Sequence, residues 1–231
     1  MPTPSYQIKW DETGERLYET GTKMGVLYQR DSSGAYPKGV AWNGLTAVTE
    51  SPEGAEANEL WADDIKYLEM RSAEKFGGTI EAYTYPDEFA ECDGSAELAE
   101  GLYTGQQPRK AFGFCYRTVL GNDVSLDSYG YKLHLIYGAT CSPSEKAYQT
   151  INDSPEAITF SWEFSCTPIQ VDGVAKPVYQ LVIDSTKADA TKLAALEQIL
   201  YGTPASGEGQ SAVAAVDARL PLPAEVIDTL D

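Results

Sequence analysis

One histidine and four cysteines are among the few residues of this 231-residue chain whose types could do chemistry. His134 sits in the run YKLHLIY, on the parity of Lys132. No cysteine or acid stands at metal-ligand spacing from it, so the sequence predicts a solvent-facing or interface histidine rather than a base or ligand. Cys92, Cys115, Cys141 and Cys166 form no C-x-x-C pair. They read as reduced thiols packed as small apolar groups. Among the acids, Asp63-Asp64 and Asp87-Glu88 are dense enough to suggest a carboxylate pair for hydrolysis. Adjacent acids on a strand point to opposite faces, however, and Asp87-Glu88 suits a helix start better. The sequence contains no G-x-S-x-G elbow, H-E-x-x-H, P-loop or G-x-G-x-x-G. It also lacks the twelve-residue calcium pattern. The expectation is a non-enzyme with no cofactor and no metal.

The elements that must position these residues are mostly strands. In AITFSWEFSC, Ile158, Phe160, Trp162, Phe164 and Cys166 share one parity, against Thr159, Ser161, Glu163 and Ser165. Such alternation describes a strand with one face on a core. The runs YKLHLIY, AFGFCYRTVL, VYQLVID and GGTIEAYTY alternate in the same way. Gly77-Gly78, Gly121-Asn122-Asp123, Gly138 and Val171-Asp172-Gly173 read as turns between strands. Between Leu60 and Met70 the parity slips, which predicts one strand with a bulge at Asp63-Asp64. Many short strands with this punctuation predict a mainly β fold, a sandwich or barrel of two packed antiparallel sheets.

Two helices stand out. Tyr85–Gly94 has Pro86 at its start, Asp87 and Glu88 at its positive end, and Gly94 as a stop. DATKLAALEQILYG has Asp189 as cap, an apolar stripe of Leu193, Leu196, Ile199 and Leu200, and Gly202 as stop. PASGEGQSA reads as a flexible linker. RLPLPAEVIDTLD, with two prolines, reads as an extended arm that needs a surface to dock on. The domain reading is an N-terminal arm over 1–16, a β domain over 17–202, and a linker with a C-terminal arm over 203–231.

Bulk charge narrows the function. Seventeen Lys+Arg against 35 Asp+Glu give a net charge of −18. Such a field repels nucleic acid, whose protein affinity rests on cationic contacts to phosphate. It favours solubility, or a surface that must not stick to DNA. No apolar run reaches the roughly 18 residues of a membrane helix. The N-terminus shows no basic start followed by an apolar segment, so the expectation is a protein kept in a cytosol, with no membrane partner. Fifteen tyrosines suit strand cores, interfaces or a sugar-binding face.

Between TAVT and LWADDIKYLEM the chain runs through Glu50, Ser51, Pro52, Glu53, Gly54, Ala55, Glu56, Ala57 and Asn58, with almost nothing to bury. Long loops without a core of their own are usually functional or disordered. This one reads as an assembly loop, and these nine residues are the candidate subunit interface.

Several stretches taken together resemble a known family. They are Gly25–Tyr28, Gly39-Val40-Ala41-Trp42-Asn43-Gly44-Leu45-Thr46, Glu50–Glu56, Trp61–Tyr67, Gly77–Phe89 and Cys92-Asp93-Gly94. With the late AITFSWEFSCTP strand, the likeness runs through most of the chain. The family is the major tail protein, or tail tube protein, of long-tailed non-contractile phages (siphoviruses) of Gram-positive bacteria. The resemblance implies two packed antiparallel sheets with a short flanking helix, as in other phage tubes and the type VI secretion tube. It implies a structural virion protein whose hexameric rings stack into a tail tube. DNA would pass down the lumen during genome ejection without specific binding. Tape measure and tail terminator proteins would be partners, with assembly in the host cytoplasm. The long loop would reach a neighbouring subunit or ring. Glu69 and Glu81, on the polar parity of strands expected to be neighbours, are the lumen-facing candidates. The alternative is a carbohydrate-binding β-sandwich module, with residues such as Trp42 and Trp61 as stacking platforms.

Overall fold

The computed structural model describes residues 8–151, 156–205 and 214–231. In chain order the strands are β1 (Leu17–Gln29), β2 (Gly39–Trp42), β3 (Leu45–Glu50), β4 (Glu53–Gly54), β5 (Ala57–Ala62), β6 (Ile65–Arg71), β7 (Glu74–Lys75) and β8 (Gly77–Ala82). After a 3-10 turn at Asp87–Phe89 come α1 (Ala90–Asp93), β9 (Ala96–Ala99), β10 (Leu102–Thr104), β11 (Phe112–Asn122), β12 (Leu126–Cys141), β13 (Phe160–Cys166) and β14 (Gln180–Asp184). Two helices close the chain, α2 (Ala190–Tyr201) and α3 (Pro223–Leu230).

The fold is mainly β, as the alternation predicts. One eight-stranded antiparallel sheet has the order β2-β1-β11-β12-β13-β8-β3, with β14 also on β12. Its two halves fold over one another around an inner core. Trp42 on β2, Phe114 on β11, Trp162 on β13 and Phe89 meet there as a ring of edge-to-face and tilted aromatics, Trp42 lying 4.4 Å from Phe89 and 5.6 Å from Trp162. That geometry suits the quadrupoles of the rings. The other face of β11, β12 and β1 carries a second core: Val26, Tyr28, Cys115, Leu133, Leu135 and Tyr137 under α2 and α3.

β12 is shared between partners. Lys132–Ile136 pairs with β14, and Ala139–Cys141 pairs with β13. Gly138 lies at the change of partner with φ +61, and a Cβ there would sit 2.3 Å from the Thr167 carbonyl oxygen. Gly138 is therefore a bend within a long strand rather than a turn between two. Gly77-Gly78 also lies inside a strand, where a side chain on Gly78 would meet the Thr49 carbonyl oxygen at 2.2 Å. Close backbone approach, not chain reversal, requires glycine there.

The helical stretch at 85–94 forms as predicted, with Pro86 as its extended N-cap and Gly94 left-handed at φ 84. Asp189 caps α2 by accepting from the Thr191 and Lys192 amides. Leu193, Leu196 and Leu200 bury the expected stripe. Arg117 clamps this helix to the sheet: its guanidinium lies 4.2 Å from the Tyr131 ring centre and 2.6 Å from Glu197.

The C-terminal segment departs from the extended arm expected of it. Leu222 is extended, Pro223 takes the first helical position, and α3 follows. A proline there loses no helix bond, because that amide has no intrahelical partner. Leu220, Pro221, Pro223 and Val226 are buried against the chain's own outer core. The Tyr137 hydroxyl donates to the Pro221 carbonyl at 3.0 Å, and the Leu220 amide donates to the Tyr36 carbonyl. Residues 206–213 of the predicted linker, and 1–7 of the predicted N-terminal arm, lie outside the described residues. The rest of that arm is exposed except at half-buried Gly14, where it is tied by the Gly14 amide donating to Asp123.

Candidate assembly interface

Between β3 and β8 the chain leaves the domain as a hairpin rather than as a loop followed by one bulged strand. β5 and β6 pair antiparallel across Asp63-Asp64, and β4 pairs with β7 at the root. Asp63 and Asp64 have φ of 51° and 60°. Two successive left-handed residues make the two-residue turn whose twist matches paired strands. Aspartate tolerates that region because its short polar side chain bonds locally. The expected bulge exists, but it lies at Tyr67, between the Leu60–Leu68 and Trp61–Lys66 pairs.

Pairing sorts the hairpin into two unlike faces. Asn58 with Met70, Leu60 with Leu68, and Ala62 with Ile65 fall on one side. Glu59 with Glu69, Trp61 with Lys66, and Ala57 with Arg71 fall on the other. The second side is laced by ion pairs: Lys66 Nζ lies 2.7 Å from Glu59 and 2.5 Å from Glu69, and Arg71 lies 3.3 Å from Glu69. The first side is apolar and uncovered, with Leu60, Ile65, Leu68 and Met70 between 40% and 62% exposed. A lone two-stranded hairpin is marginal in water. An exposed apolar face of this kind makes the hairpin a candidate contact surface.

Of the nine residues expected at the interface, Ser51 to Asn58 are exposed and form the root and first strand of this hairpin. Glu50 behaves differently. It ends β3 and turns inward, accepting from the Tyr116 hydroxyl at 2.6 Å and from Gln180. Glu69 and Glu81 do not lie on neighbouring strands. Glu69 is on the ion-paired side of β6, whereas Glu81 on β8 stands opposite Ala47 and Ser161.

His134 overturns its sequence reading. It is 8% exposed and stacks on Tyr116, ring centres 4.5 Å apart and nearly parallel. Nε2 lies 3.0 Å from the Thr118 hydroxyl, and Nδ1 lies 3.5 Å from Glu50 Oε1. Glu19 Oε1 lies 3.7 Å away on the Nε2 side. Burial pushes the Glu50 carboxyl upward, but the neighbouring His134 and the hydrogen bonds from Tyr116 and Gln180 outweigh it and hold the carboxyl below its ordinary value. Glu19 is lowered in the same way, burial being outweighed by Lys132 and Thr118. The two carboxylates flank opposite ring nitrogens, so they cannot share one metal ion with this imidazole. His134 on the polar parity of β12 is buried in an ionic seam joining β1, β3, β11, β12 and β14, while Lys132 and Glu19 at the end of that seam stay about a third exposed.

The cysteines pack as expected of thiols, all free, with Cys92, Cys115 and Cys141 buried. Of the tryptophans named as sugar platforms, Trp42 is 2% exposed and belongs to the inner core, while Trp61 is 65% exposed on the ion-paired side of the hairpin. No helix among the described residues is long and apolar enough to cross a membrane. Searches against protein-family models and against curated proteins found no match to the chain.

Proposed function

We propose that this chain is a structural subunit that polymerises as stacked rings into the tail tube of a long-tailed phage. The observation that carries the reading is the projecting hairpin, apolar on one face and uncovered in the single subunit. Leu60, Ile65, Leu68 and Met70 need a partner, and a self-assembling ring supplies one in every neighbouring copy. The net charge of −18 supports the same reading, because a channel that passes DNA quickly must not bind it. Glu81 is half-buried on the face of β8 opposite Ile80 and Ala82, which leaves it as the lumen candidate. Glu69 lies on the ion-paired side of the hairpin, away from its apolar contact face. Tape measure and terminator proteins are the partners expected at the two ends of such a tube.

Sedimentation of the variant Leu60→Lys/Leu68→Lys tests the reading. The reading requires a folded monomer at concentrations where the unaltered chain assembles. Equal assembly by the variant contradicts it.

A further inference from the structure

His134 is the single histidine of the chain, and the two nitrogens of its buried ring have unlike surroundings. On the Nε2 side, the Thr118 hydroxyl lies 3.0 Å away. That hydroxyl has one proton, which it donates to Glu19 Oε1. Glu19 is ion-paired with Lys132 and, as a carboxylate, only accepts. The Thr118 oxygen is therefore an acceptor toward the ring, and Nε2 carries a hydrogen. On the other side, Nδ1 is buried without a hydrogen-bond partner, so no donor serves it. The charged group that faces it is Glu50 Oε1 at 3.5 Å. That oxygen already accepts from the Tyr116 hydroxyl and from Gln180, so neither of those hydrogens is left for the ring.

A bare Nδ1 sets its lone pair against a carboxylate oxygen in a place short of water. A proton on Nδ1 turns the same contact into an ion pair. The distribution of charge agrees. Lys132 answers Glu19, but among the described residues no lysine or arginine lies within 4 Å of Glu50, and His134 is the counterion the fold brings to it. The other titratable groups on this face are taken. Asp184, opposite Lys132 on β14, is held by Thr186 and Lys187. The Tyr116 hydroxyl keeps its proton, since burial and then Glu50 both push it upward. We propose that the Nδ1 proton of His134 is a pH-operated latch on the hairpin root: the charged ring holds Glu50 and the end of β3, and the neutral ring, protonated at Nε2 alone, releases them. The latch needs Glu50 ionised and the ring charged. It is closed above the acid titration of the carboxylate, and it opens as pH rises through the loss of the ring proton. Histidine suits the task, because its charge changes nearest to neutral pH. Opening frees the residue beside Ser51, whose amide donates to the Gly77 carbonyl at the start of β8. The latch works within one subunit, whatever the apolar face of the hairpin meets.

Nitrogen-15 NMR of the untagged chain, labelled in the imidazole, tests the proposal, because one histidine gives one pair of ring signals. Across a titration Nε2 should keep its proton, and Nδ1 should gain one as pH falls. Hydrogen exchange at the Ser51 amide, corrected for the intrinsic rate at each pH, should slow about tenfold with the same midpoint. In Glu50→Gln, Nδ1 should bind its proton about tenfold more weakly, and Ser51 exchange should no longer follow the ring. A neutral ring protonated at Nδ1 overturns the proposal. So does Ser51 exchange that ignores the ring in the unaltered chain, a reading that stands even if the variant does not fold. Unchanged proton affinity of Nδ1 in folded Glu50→Gln overturns it as well.

Discussion

His134 Nδ1 lies 3.5 Å from Glu50 Oε1, joining the middle of β12 to the last residue of β3 before the chain departs into the hairpin. The contact anchors the hairpin root to the domain core. Glu50 also accepts from Tyr116 and Gln180, so three strands converge on one carboxylate. Glu50→Gln removes charge-assisted bonds from a partly buried site and should cost about 1–3 kcal/mol at neutral pH. Hydrogen exchange should quicken at Ser51 and Gly78, the amides nearest the root. Unchanged protection there would show that the root is held by something else.

The pH dependence has a definite sign. The Glu50 and Glu19 carboxyls are both held below the ordinary value of 4.5 in the fold. Their stabilisation is complete above that value and is lost as pH falls through the lower, folded values. The melting temperature should therefore fall steeply below about pH 4.5. The fall should be shallower in Glu50→Gln, which has no carboxyl left to protonate. Identical profiles for the two chains would contradict the assignment.

Trp162 is fully buried, ringed by Trp42, Tyr85, Phe89 and Phe160, yet its indole N–H has no partner. Trp162→Ala should cost about 3–5 kcal/mol by chemical denaturation. Trp162→Phe should cost much less, because it removes the unsatisfied donor along with part of the ring. Equal losses would mean that the N–H is satisfied.

Burial pushes the thiols of Cys92, Cys115 and Cys166 up to about 12, and raises Cys141 further. The thiolate is the reactive form. A thiol reagent at pH 8 should label the native chain slowly and all four cysteines at once on unfolding. Fast labelling of one site would expose local opening around it.

Docking of the C-terminal segment should be worth measurable stability. Leu220 is 2% exposed and lies over Gly113, where a Cβ would come within 2.3 Å of it. Leu220→Ala should cost about 2–5 kcal/mol, and Gly113→Ala should destabilise by forcing Leu220 aside. A neutral Leu220→Ala would return this segment to the role of a loose arm.

The strand alternation was readable because one face of each strand meets a core whichever core it is. What it could not show is that β11 and β12 are packed on both faces. Lys132 and His134 keep a polar parity, but His134 on it is buried against Glu50 and Tyr116, and only Lys132 with Glu19 stays partly in water. Burial of a histidine by partners distant in sequence leaves no local trace. The hairpin did leave one. Asp63-Asp64 between two alternating runs is a two-residue turn signal, and the parity slip beyond it came from the bulge at Tyr67. The prolines of the C-terminal segment pointed to extended chain, whereas Pro223 opens a helix whose apolar residues find the outer core.

The most direct measurement is electron microscopy of the purified full chain at high concentration, seeded with tail-tip complexes. The account predicts stacked rings of uniform diameter around an open channel. A chain that stays monomeric with seeds present, at concentrations far above those reached in an infected cell, would contradict it.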